Sequence, residues 1–107
     1  EGRTVVSNYY EALNKKDYRG AYRYLSARAM ERYGTFELWE QAMTKDEVPK
    51  VKAIQLNYVS QDQDYDIVVN YMGFTVTFED NLEPLLVRLH NEGKGWGIVA
   101  IEAAEEY

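Results

Sequence analysis

The chain has 107 residues, enough for one domain and too few for two comfortable ones. Hydrophobic residues make up 46% and charged residues 28%, which excludes a disordered or collagen-like chain, and no apolar run approaches the roughly 20 residues of a membrane-spanning helix. A net charge of −6 argues against a protein held on nucleic acid by phosphate contacts, and the lack of cysteine excludes disulfides and thiolate metal sites.

The first half reads as helix. Val6, Tyr9, Tyr10 and Leu13 fall at i, i+3, i+4 and i+7, on one stripe. The run Asn14, Lys15, Lys16 breaks that pattern, and Asp17 is suited to cap a second helix carrying Tyr18, Ala21, Tyr22 and Leu25 at the same spacing. Ser26 is a cap for a short helix over residues 27–33, closed by Gly34. Thr35 is the next cap, and Phe36, Trp39 and Met43 mark a buried stripe that ends near Lys45, ahead of Pro49.

The second half reads as strand. Ile54, Leu56 and Tyr58 alternate with Gln55, Asn57 and Val59 over residues 51–60, so one face is the more apolar, and residues 61–64 look like a polar turn. Tyr65, Ile67, Val69 and Tyr71 occupy odd positions, whereas Phe74, Val76 and Phe78 occupy even ones. A one-residue bulge at Gly73 would keep both sets on one face and bend the strand sharply. Residues 80–84 make the next connection. A strand through Leu85, Val87 and Leu89, a glycine-containing hairpin over 90–95 and a last strand over 96–102 complete the chain. Helices followed by short-turn strands predict an α+β domain over residues 1–107, its helices packed on a strongly bent antiparallel sheet that encloses a cone.

Charge is divided unevenly. Residues 1–52 hold ten of the twelve basic groups against eight acids, and residues 53–107 hold Arg88 and Lys94 against ten acids. The densest basic run is Lys15, Lys16, Arg19, Arg23, Arg28 and Arg32. It suits an anionic partner, but the interruption by Asp17 and Glu31 favours a solvated helix face. His90, the one histidine, shares a strand face with Arg88 and reads as solvent-facing. Asp62, Asp64 and Asp66 stand like the start of a calcium loop, yet Ile67 and Gly73 occupy the positions where such a loop needs glycine and glutamate. No metal site, cofactor or catalytic residue follows from these patterns. Ten of the fifteen aromatics are tyrosine, which offers apolar area with a polar tip. Tyr9, Tyr22, Trp39, Tyr58, Tyr71 and Phe74 are the candidates for facing the cone, either filling it or lining a pocket for a small amphipathic ligand.

The opening 5–22, with its aliphatic–x–x–Tyr–x–x–Ala-Leu-Asn–x–x–Asp pattern, and the closing Glu92-Gly93-Lys94-Gly95-Trp96-Gly97-Ile98-Val99 resemble the nuclear transport factor 2-like (cystatin-like) superfamily. The Asn-Lys-Lys-Asp-Tyr stretch is similar to small bacterial extracytoplasmic domains of unknown function, many of them lipoproteins, and to the N-terminal modules of penicillin-binding transpeptidases. That resemblance implies an extracytoplasmic domain, anchored to a membrane by a segment before Glu1, with a non-catalytic role in holding a small molecule or a protein partner. The superfamily's ketosteroid isomerase keeps an oxyanion-binding tyrosine where Tyr9 stands. Its general-base aspartate has no counterpart in residues 27–35, and its second donor falls near Leu85, which cannot donate. The alternative is an isomerase or cyclase using Tyr9 with a base such as Asp66 or His90. The resemblance also implies a homodimer through the outer sheet face, on which Val51, Val59, Val68, Met72 and Leu86 would lie.

Overall fold

The computed structural model describes residues 2–45, 48–64, 67–79, 83–91 and 95–103. Four helices, α1 (Gly2–Asn14), α2 (Tyr18–Tyr22), α3 (Ala27–Tyr33) and α4 (Phe36–Thr44), precede four strands, β1 (Val51–Asp64), β2 (Ile67–Phe78), β3 (Leu85–Asn91) and β4 (Gly97–Ala103). The strands form one antiparallel sheet in chain order, and the helices pack against it.

The helical boundaries follow local chemistry. The Asp17 carboxylate accepts from the Gly20 N–H at 3.0 Å, the Ser26 hydroxyl from Ala29 at 3.2 Å and the Thr35 hydroxyl from Leu38 at 3.2 Å, so each expected cap satisfies a free donor of its helix. At the end of α1, Asp17 N–H reaches the Ala12 carbonyl (2.8 Å) and Lys16 N–H reaches Leu13 (3.0 Å), with Lys16 at φ 62°. This is the six-to-one, five-to-two closure of a Schellman turn, with lysine in the left-handed position where glycine is usual. α1 runs antiparallel to β1. Its Arg3 guanidinium donates to the Ile54 carbonyl near one end, and Asn14 donates to Pro49 at 3.5 Å near the other.

Val6, Tyr9, Tyr10 and Leu13 are all buried, as their spacing requires, against Phe74, Val76, Phe78, Val87, Leu89 and Ile98 of the sheet. Each such side chain contributes about 1.5–3 kcal/mol on burial. Tyr22, Phe36 and Trp39 form a ring cluster between α2 and α4 with centroids 5.1–5.9 Å apart.

The expected strong bend is corrected: the sheet is not strongly curled, and no cone is formed. The reason lies in β2. Its register with β3 runs unbroken from Asn70 to Val76, straight across Gly73. The extra residues sit on the edge strands, Lys52 and Asn57 of β1 and Val99 of β4. The phase change in β2 is therefore burial on both faces. Phe74, Val76 and Phe78 meet the helices, while Val69 and Gly73 are buried on the opposite side. Gly73 makes room for the Tyr58 ring, one of whose carbons would lie 2.1 Å from an added Cβ.

β1 continues through 61–64, where a turn was expected, and pairs with β2 as far as Asp64 opposite Ile67. Tyr65 and Asp66 lie outside the described residues. β3 pairs β2 only from residue 70 to 76, so the end of the β1–β2 pair extends past β3. The register also reassigns the apolar residues expected on the outer face. Val51, Val59, Val68 and Met72 share the helix-side face with Phe74 and Val76, and Leu86 alone lies opposite.

Candidate functional site

The six aromatic candidates do not converge. Tyr9, Trp39 and Phe74 are closed into the core, and Tyr22 is half-buried in the α2–α4 ring cluster. Tyr58 and Tyr71 stand on the opposite sheet face, Tyr58 over Gly73 and Tyr71 beside His90, with ring centroids 6.4 Å apart.

Tyr9 is the residue on which catalysis of the isomerase type would depend. It is 1% exposed, with Tyr10 edge-on at 5.1 Å. Burial raises its pKa well above the ordinary value, and the nearby Tyr10 and Tyr33 raise it further, against a smaller lowering by the Trp39 indole N–H. That N–H is fully buried and makes no hydrogen bond of normal geometry. Tyr10 is raised likewise, by burial first and then by Tyr33. Among the described residues no carboxylate contributes to the shift of either tyrosine.

A different place gathers charge. The chain between α2 and α3 crosses β4: Ile98 N–H donates to the Tyr24 carbonyl and Ser26 N–H to the Ile98 carbonyl, both at 2.8 Å, making an isolated parallel bridge at Leu25. Gly97 permits the crossing, since a Cβ there would sit 3.0 Å from Ser26 Cα. Beside it opens a cleft of about 300 Å³ lined by Arg23, Leu25, Ser26, Ala27, Arg28, His90, Gly95, Trp96 and Gly97, with no carboxylate among these residues. None of the six aromatic candidates is among them.

His90, expected to face solvent, is only 6% exposed, although it does share its sheet face with Arg88. Arg88 pairs outward with Glu102 at 2.7 Å. The basic run is dispersed. Lys15 pairs with Glu11 at 2.9 Å and Arg19 stacks over the Phe36 ring at 4.4 Å, while Arg23 and Arg28 reach the cleft. The sequence supplied each cleft residue, in the basic run, the single histidine and the Gly-Trp-Gly segment. It carried no signal that Leu25 meets Ile98 and brings these segments together. Among the described residues no three His, Asp or Glu side chains gather as a metal ion requires.

The chain is thus a helices-first α+β domain with a cationic surface cleft. A family described as a domain of unknown function, DUF4829, matches residues 3–101, and the chain belongs to that family. No curated protein and no solved structure matches it. This membership, with the uncurled sheet, overturns the expected kinship with the nuclear transport factor 2-like, cystatin-like superfamily and with its bacterial lipoprotein and transpeptidase-module branch. The opening helix pattern and closing hairpin that carried the resemblance are local features, and local features do not fix a family. The extracytoplasmic placement rested on that resemblance and is withdrawn with it. The expected membrane anchorage is withdrawn with the resemblance that implied it, and among the described residues no helix is long and apolar enough to cross a membrane.

Proposed function

We propose that this domain is a non-catalytic binding module. The observation that carries the reading is the enclosure of Tyr9. An oxyanion donor must reach a substrate carbonyl, with a general base near the carbon being deprotonated. Tyr9 instead lies in packed core, with phenols and an indole as its polar neighbours. Polar groups that a ligand can reach lie at the surface, where binding without bond-breaking is the simplest role.

The test joins a melting-temperature screen of small organic acids, amines and neutral amphiphiles with an ultraviolet assay of β,γ-enone isomerisation. A ligand at 100 times its Kd adds about 2.7 kcal/mol of stability, which raises the melting temperature of a domain of this size by roughly 10 °C. A saturable rise without turnover is the expected outcome. Turnover of the enone that disappears in Tyr9→Phe overturns the reading.

A second reading, self-association, is favoured by the exposure of Leu56, Val59 and Val68 on the helix-side face of β1 and β2, with β1 forming a sheet edge. The partner there is a second copy of the chain, because β1 carries Lys52 near one end and Asp62 near the other. Antiparallel apposition of two β1 strands brings opposite charges together.

A further inference from the structure

We propose that the cleft between the α2–α3 crossing and β4 is the ligand site, and that it takes a small organic acid: the carboxylate meets Arg23 on the rim that Arg28 shares, and the apolar body lies against Trp96 and Leu25. The proposal rests on the binding-module reading and names its site and ligand class.

Three observations set the chemistry. First, two guanidinium groups border the recess, and among its described lining residues none is acidic. In a protein of net charge −6 that local sign is opposite to the whole, and it selects anions. Among the described residues the Arg23 guanidinium has no ion-pair or hydrogen-bond partner, so its donors are available to a ligand. A planar guanidinium meets a carboxylate through two parallel hydrogen bonds.

Second, the recess is not wholly polar. Trp96 is half-buried there, and Leu25 contributes to the lining. An aromatic face with an aliphatic neighbour suits an apolar body better than bare phosphate.

Third, a volume of about 300 Å³ lies at the small end of ligand pockets, which limits the acid to a compact one. The walls are held in place by the two 2.8 Å backbone bonds between Tyr24, Ser26 and Ile98, and the Asn91 side chain accepts from the Gly95 N–H at 3.2 Å at the rim. The site is pre-formed by contacts that a ligand does not have to create.

The chain has two tryptophans, so a ¹H–¹⁵N spectrum carries two indole signals, which a Trp96→Phe spectrum assigns. Titration with cyclohexanecarboxylate is expected to move the Trp96 indole signal saturably and leave Trp39 in place. Arg23→Gln, an exposed substitution whose folding is checked by its melting curve, is expected to weaken that binding at least tenfold, with Arg23→Lys between the two. An absent or non-saturating shift overturns the proposal, as does an equal response to cyclohexylmethylamine or unchanged affinity in Arg23→Gln. Equal saturation by inorganic phosphate overturns the organic-acid assignment. A compound that raises the melting temperature without moving the Trp96 signal overturns this site while the binding-module reading stands.

Discussion

At the scale of single residues, the two buried tyrosines of α1 make stability depend on alkaline pH. Below about pH 10 both folded and unfolded chains keep their phenol protons, and the raised pKa values of Tyr9 and Tyr10 have no effect. Above that, the unfolded chain gives up protons that the folded chain retains. The unfolded state then binds fewer protons, and stability falls as pH rises, by up to about 1.4 kcal/mol per pH unit for each tyrosine. Urea unfolding at pH 9 and pH 11 measures this. Tyr9→Phe is expected to flatten the decline, and a slope identical to wild type would mean that its phenol ionises freely in the folded protein. The same burial that gives Tyr9 this role keeps it from presenting its hydroxyl to a substrate.

At the scale of elements, the sequence was most informative where structure is local. Asp17, Ser26 and Thr35 cap the helices they were expected to cap, because a side-chain acceptor three residues ahead of a free N–H is a short-range requirement. The stripe of α1 was equally legible, since a 3.6-residue period needs only one buried face. β2 was misread for a physical reason. Period-2 reasoning assumes one buried face, and a strand buried on both faces shows the same slip at Gly73 that a bulge would. The cleft was illegible because it depends on residues around 25 meeting residues around 97. That junction has its own test. Gly97→Ala forces a Cβ to within 3.0–3.2 Å of Ser26 backbone and Cβ atoms, which cannot swing aside as a side-chain tip would. The expected cost is about 1–3 kcal/mol, typical of overpacking. A denaturation midpoint equal to that of wild type would show that the crossing is looser than these contacts require.

At the scale of the whole molecule, the question is what becomes of the end of the β1–β2 pair that extends past β3. A 14-residue edge strand with Leu56 and Val59 exposed beside unpaired backbone groups invites pairing. The bulge at Asn57 and the polar residues 60–63 restrain indiscriminate association, and they leave charge to choose the partner. With Lys52 and Asp62 on either side of that bulge, a two-fold arrangement sets each lysine near the other copy's aspartate. Light scattering after size exclusion is expected to give twice the 12.5 kDa chain mass at high micromolar concentration. Lys52→Asp and Asp62→Lys should each shift the equilibrium to monomer by placing like charges together. Combining them restores opposite charges at both symmetric contacts and should restore the dimer. That recovery separates a charge-matched interface from simple apolar stickiness, which Val59→Asp would abolish but which the charge reversals would leave nearly unchanged. A monomer at every concentration, or a double variant no better than the singles, removes self-association and leaves the Arg23 cleft as the binding surface to pursue.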